Sequence, residues 1–217
     1  MKPRCWLCGL LAVLCAGCGG GSPAEPPAAP APRVIEFYGD SLTFGSIEGP
    51  AGTLTRLAVP PVRRAQELLG TSALCVDLSL PGATVADALA GVAMMPFGPF
   101  AEHVKTTSAR LLVIRYGGAD ALRAVPLADF ERDLAAMVAL AQAAGKRVLL
   151  VGVIATATGE TDDFDLAVER TADAHGTGFV DVRAVPYTLP DDLADAVHPA
   201  QAWSDRITAA IAQALGT

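Results

Sequence analysis

Two short motifs in this chain carry side chains that could act on a substrate. The first is Gly39-Asp40-Ser41, which follows at once on the apolar run Val34–Tyr38. That pattern predicts a buried strand ending in a turn that presents a serine hydroxyl. In open parallel sheets ligands bind at this end of the strands. A serine placed there is either a nucleophile, if a base reaches it, or a turn and helix-cap residue, a position Asp and Ser both favour. Three histidines could supply the base. His103 falls in a connection. His175 closes a predicted helix, where the helix dipole alone favours a cation. His198 stands in Asp195-Ala196-Val197-His198-Pro199, just before the last predicted helix. A carboxylate three residues before a histidine on one turn can accept the imidazole N–H, which selects the tautomer and stabilises the imidazolium. The same four residues also read as a plain helix-opening turn. No spacing of His, Cys and carboxylates suggests a metal site.

The elements that must position these groups alternate along the chain. Apolar segments Ala73–Leu78, Arg110–Tyr116, Arg147–Ile154 and Gly178–Val182 read as further strands. Between them lie predicted helices over Pro61–Leu69, Val85–Val92, Leu127–Ala144, Asp163–Ala174 and Pro199–Leu215. Leu127–Ala144 is the clearest, with Phe130, Leu134, Met137, Val138 and Ala141 on one face and Gly145 as its stop. In the last helix Trp203, Ile207, Ile211 and Leu215 recur at four-residue steps. Continuously apolar strands separated by helices predict a three-layer α/β/α sandwich with about five parallel strands. Right-handed crossovers favour the flavodoxin-like order 2-1-3-4-5. Thr43–Pro60, rich in Gly and Pro, reads as a loop beside the serine. Met94–Phe100, apolar but broken by Pro and Gly, reads as a cap on the core or, less commonly, as the lining of an acyl pocket.

The start of the chain has a different character. Lys2 and Arg4 precede an apolar run from Leu7 to Ala16, too short to span a bilayer stably. Residues 1–17 are expected to be a signal peptide. Cys15-Ala16-Gly17-Cys18 resembles the lipobox of bacterial lipoproteins, with Cys15 where leucine is usual. The resemblance implies cleavage before Cys18 and diacylation of its thiol; the alternative is ordinary secretion. Residues 18–32, including GGGSPAEPPAAPAP, then form a flexible tether. Gly19 after the cysteine leans toward the outer membrane of a bacterial envelope, with the domain facing the periplasm. Without Lys2 and Arg4 the chain keeps 14 basic against 23 acidic residues, a net of −9. No basic cluster interleaves with aromatics, so nucleic acid is not an expected partner. Cys75, the one cysteine in residues 33–217, reads as a small buried hydrophobe. Residues 33–217 are expected to form one domain.

Taken together and in order, Gly39-Asp40-Ser41-Leu42, Gly82, Gly117-x-x-Asp120 and Asp195-x-x-His198 resemble the four sequence blocks of the GDSL/SGNH hydrolases. The similarity runs from about Arg33 to Leu215. It implies a flavodoxin-like fold and ester hydrolysis without a metal or organic cofactor. Ser41 would be the nucleophile, His198 the base and Asp195 its orienting partner, with the Ser41 and Gly82 N–H groups in the oxyanion hole. Asp120 would be a structural hydrogen-bonding residue. Two positions depart from the pattern. Ala119 stands where the family has the asparagine that donates to the oxyanion, a donor worth about 10²–10³ in rate. Asp77 stands where asparagine is frequent. Acyl lipids, aryl esters and acetylated sugars remain open as substrates. So does an envelope protein that keeps the cleft only for binding.

Overall fold

The computed structural model describes residues 31–92 and 94–216. The expected leader, Cys18 and the tether as far as residue 30 lie outside the described residues. Seven strands follow in chain order: β1 (Arg33–Gly39), β2 (Ser46–Glu48), β3 (Leu54–Arg56), β4 (Ala73–Asp77), β5 (Leu111–Arg115), β6 (Arg147–Val151) and β7 (Gly178–Val180). The helices are α1 (Ser41–Phe44), α2 (Pro61–Leu69), α3 (Val85–Ala90), α4 (Phe100–Thr106), α5 (Gly118–Leu122), α6 (Leu127–Ala143), α7 (Asp162–His175) and α8 (Gln201–Gly216). None of them is long and apolar enough to cross a membrane.

Five strands form one parallel sheet in the order β4-β1-β5-β6-β7. Counting only these strands along the chain, the order is 2-1-3-4-5, as the alternation of elements implied. The sheet is buried between helices, which explains its mostly apolar strands. On α6 the predicted face, Phe130 to Ala141, is buried. On α8 Trp203, Ile207, Ile211 and Leu215 are buried in the same way.

One residue breaks the apolar run of β1. Glu36 is buried in mid-strand, where a lone carboxylate would be costly. Its oxygens accept from the Tyr38 hydroxyl and the Thr107 hydroxyl, both at 2.5 Å, and meet His103 Nε2 at 3.1 Å. His103 therefore lies on α4, not in a loop, and is a partner of Glu36.

The segment Thr43–Pro60 also departs from the expected loop. It holds the end of α1 and a small antiparallel hairpin, β2–β3, pairing Ser46 with Arg56 and Glu48 with Leu54. Arg56 secures its base. The guanidinium donates through Nε to the Phe44 carbonyl at 2.6 Å, pairs with Asp77 at 2.5 Å and lies 3.9 Å over the Phe44 ring. Asp77 thus has a use on this chain, since it also accepts from the Ser79 N–H and hydroxyl.

The stretch 94–100 caps the core. Met95 and Phe100 are buried, and Phe97 meets the Tyr38 ring edge-on at 5.1 Å. Met94 is 84% exposed. Cys75 is half-buried on the edge strand, and burial pushes its thiol up to about 11.

Candidate active site

The carboxyl ends of β1, β4 and β5 and the turn before α8 converge on one edge of the sheet. Gly39 ends β1, and only glycine fits there: a Cβ would run into the Thr43 side chain and the Arg115 carbonyl. Asp40 then caps α1. One of its oxygens accepts from the Leu42 N–H at 2.9 Å, and the other from the Ala119 N–H at 2.9 Å. A single buried carboxylate therefore fastens the turn carrying Ser41 to the turn opening α5. Burial pushes its pKa up, opposed by these two N–H groups and by the Arg115 cation. Arg115 is itself buried and is drawn down to about 10 by that burial. Its Nη1 donates to the Leu42 carbonyl at 3.2 Å.

Ser41 is the first residue of α1, and its Oγ lies 2.9 Å from His198 Nε2. His198 Nδ1 lies 2.9 Å from Asp195 Oδ2 and 3.0 Å from Oδ1. With the proton on Nδ1 facing the carboxylate, Nε2 is left to accept from the serine hydroxyl. The turn that holds the pair is built by its own backbone. The Val197 and His198 N–H groups donate to Asp195 Oδ1 at 2.9 and 2.8 Å, while the Ala194 N–H donates to the His198 carbonyl at 2.8 Å. From outside the turn, the Glu48 N–H of the hairpin donates to Asp195 Oδ2 at 2.7 Å. Burial alone would raise the Asp195 pKa. The donors from Val197, Glu48 and His198 outweigh it and hold the carboxyl below its usual range.

Gly82 lies in the turn after β4 with φ +77°, and no atom stands within 4 Å of where its Cβ would be. Among the described residues nothing accepts from the N–H of Ser41 or of Gly82. Thr84 caps α3 through a reciprocal pair with Asp87. Asp120 lies beneath this edge. Its Oδ1 accepts from the Val85 N–H at 3.2 Å, and burial pushes its pKa up to about 7. That matches a structural use, for it lines neither cavity at Ser41. Ala119 does face Ser41: its methyl lines a cleft of ≈ 310 Å³ with Ser41, Gly82, Leu122, Arg123 and His198. On the other side of Ser41 is a slot of only ≈ 10 Å³ between Leu42, Gly118, Ile154, Thr156 and Val197, about the room one water needs. The Thr156 hydroxyl there is buried with no partner among the described residues.

The structure thus brings Ser41, Gly82, Asp195 and His198 to one place and puts Ala119 beside them. Neither cavity at Ser41 takes a residue from the 94–100 stretch, which packs on the core instead. His175 ends α7 and lines neither cavity at Ser41. Three contributors had no sequence signal: the Glu48 N–H, Arg123 and the slot residues Ile154 and Thr156. They belong to segments with no motif and meet the site only through the packing of distant elements.

An arrangement of hydroxyl, imidazole and carboxylate in hydrogen-bonding sequence can deliver an activated oxygen nucleophile. The model of the GDSL-like lipase/acylhydrolase family matches residues 37–205. No curated protein matches the chain by sequence. Among solved structures, an aryl esterase from M. smegmatis is similar, with a TM-score of 0.70 and 18% identity over 85% of this chain and 98% of that one. A carbohydrate acetylesterase from Sinorhizobium meliloti has a TM-score of 0.68 and 16% identity over 85% and 98%. An acetylxylan esterase from Geobacillus stearothermophilus has a TM-score of 0.68 and 20% identity over 85% and 94%.

Proposed function

Because the chain belongs to the GDSL-like lipase/acylhydrolase family, we propose that it is a serine esterase cleaving esters of short acyl groups through Ser41, His198 and Asp195. The observation that carries this is the unbroken line from Asp195 through His198 to the Ser41 hydroxyl, each step 2.9 Å long. His198 takes the Ser41 proton as Oγ attacks the ester carbonyl. The carbonyl oxygen becomes an oxyanion facing the Ser41 and Gly82 N–H groups. Collapse of the adduct breaks the ester bond, and His198 returns its proton to the departing alcohol. Water, deprotonated by His198, then attacks the acyl-Ser41 ester and frees the acid. Asp195 stays ionised throughout and stabilises the imidazolium.

The two cavities differ in what they admit. The slot beside Ser41, with room for about one water, supports an acyl tail no larger than the methyl of an acetyl group. The open cleft, with Leu54 and Leu122 exposed at its edges, supports a bulkier alcohol part, aryl or sugar. Similar structures named as aryl, carbohydrate acetyl and acetylxylan esterases agree with that division. For location, the leader supports a domain anchored through lipidated Cys18 to a bacterial envelope membrane, facing the periplasm.

The test is hydrolysis of p-nitrophenyl acetate, butyrate and octanoate by the full-length protein. Turnover should fall with acyl length and vanish in Ser41→Ala. A Ser41→Ala variant as active as wild type would refute the proposal. Ala119 motivates a second reading, a binder that keeps the cleft without turnover. Failure of an organophosphate to label Ser41 would favour it.

A further inference from the structure

Residue 119 has no side-chain donor to offer an oxyanion, so the other side chains around that space matter. Of the residues lining the cleft with Ser41, His198 and Ala119, Leu54, Pro81, Gly82 and Leu122 carry no side-chain N–H or O–H. Arg123 does. It stands directly after α5, four residues on from Ala119, and its guanidinium is held from two sides. Nη1 donates to Asp87 Oδ2 at 2.6 Å and to the Gly82 carbonyl at 3.3 Å. Among the described residues nothing accepts from its Nε or Nη2. The cation is therefore docked on Gly82, one of the two residues whose N–H would meet the oxyanion, with donors to spare. A fixed charge beside a developing negative charge lowers the barrier without reorganising during the reaction.

We propose that Arg123 is a positioning residue that takes over the part of the absent block-three amide: it holds the Gly82 turn and sets a cationic field on the oxyanion formed at Ser41. The proposal rests on the esterase reading above. It requires the effect to lie mainly in the transition state, because the cationic field acts on charge that develops only as Ser41 attacks, whereas any contact of Arg123 with the alcohol part in the cleft would act on KM. A merely structural role would change stability or KM; this role changes kcat.

The experiment is a double-mutant cycle on the full-length protein with p-nitrophenyl acetate, using Arg123→Gln, Arg123→Lys and Ala119→Asn. Arg123→Gln should lower kcat about 10–100-fold with KM and Tm little changed, because the side chain is largely exposed. Arg123→Lys should recover part of the loss, since it keeps the charge. In the Ala119→Asn background, where an amide donor is restored, the loss from Arg123→Gln should shrink to about threefold. An independent readout needs only the Arg123 variants. Affinity for an arylboronic acid that adds to Ser41 should fall by the same factor as kcat. A kcat within twofold of wild type in Arg123→Gln overturns the proposal. So does an equal loss in both backgrounds, or a loss carried by KM alone. If wild type shows neither turnover nor labelling of Ser41, the esterase reading falls and this proposal falls with it. Activity without the coupling removes only the role of Arg123.

Discussion

Arg56 lies outside both cavities at Ser41, yet replacing it should slow the reaction. The hairpin β2–β3 grows directly from the helix that starts with Ser41, and its far strand end donates the Glu48 N–H to Asp195. Arg56 holds the hairpin base. Arg56→Met keeps most of the stem and removes three contacts. The ion pair with Asp77 involves two partly exposed groups and is worth about 0.5 kcal/mol. The bond to the Phe44 carbonyl contributes about 1 kcal/mol, and the guanidinium over the Phe44 ring about 0.5 kcal/mol. The seated hairpin thus loses about 2 kcal/mol relative to a displaced one, a factor of about 30 in population. A displaced hairpin withdraws one charge-assisted bond from Asp195, worth about 1.5–3 kcal/mol. The expected outcome is a fall in kcat/KM of about tenfold, because part of the population keeps the bond. If the whole loss reached global stability, Tm would fall about 4–8 °C, leaving the protein folded at assay temperature. Asp77→Asn removes the charge and one of the two acceptor oxygens but leaves Arg56 on the Phe44 carbonyl and ring, so its effect on kcat/KM should be smaller, about two- to threefold. The assay is p-nitrophenyl acetate hydrolysis with a thermal melt on each variant. A kcat/KM within twofold of wild type in Arg56→Met refutes the reasoning, as does Asp77→Asn costing more than Arg56→Met.

Other perturbations should act as follows. Asp195→Asn puts an NH₂ opposite either the Glu48 or the Val197 and His198 N–H groups and unsettles the imidazole tautomer; kcat should fall about 10³–10⁴-fold, read under saturating ester. Asp120→Asn tests the raised carboxyl. Its folded pKa of about 7 exceeds its unfolded value, so the folded state holds the proton more tightly. Stability from this group is full below the unfolded pKa and is lost as pH rises through about 7. Melts from pH 5 to pH 8 should show wild type losing Tm by an amount that Asp120→Asn does not; parallel curves would contradict the assignment. Gly39→Ala should give no folded protein on gel filtration, since the added methyl meets the Thr43 side chain and the Arg115 backbone. Gly82→Ala meets no atom but must hold φ +77°, a strain of about 1–2 kcal/mol, so it should fold with a lower Tm.

Local pattern made much of the fold legible. The burial faces of α6 and α8 follow from 3.6-residue periodicity, which depends only on neighbours along one helix. Sheet order followed from alternation and handedness. Where expectation and structure part, a contact between distant segments decided the outcome. Thr43–Pro60 has loop composition, but pairing Ser46 with Arg56 and anchoring Arg56 on Phe44 and Asp77 turns it into a hairpin. Glu36 sits in an apolar strand because Tyr38, Thr107 and His103 close around it. His103 is bound to Glu36, a use its position in the sequence did not reveal.

By itself, the sequence determined the parallel α/β architecture, the serine at the first strand's end and the Asp195-x-x-His198 spacing. Each is written in residues close together in the chain, where covalent geometry limits the options. Tertiary structure alone decided that Ser41 Oγ and His198 Nε2, 157 positions apart, lie at 2.9 Å. It also decided that Glu48 serves Asp195 and that Arg123 lines the same cleft as Ala119. Those juxtapositions depend on how separate elements pack on the sheet, and packing is the sum of many weak contacts that no single motif encodes.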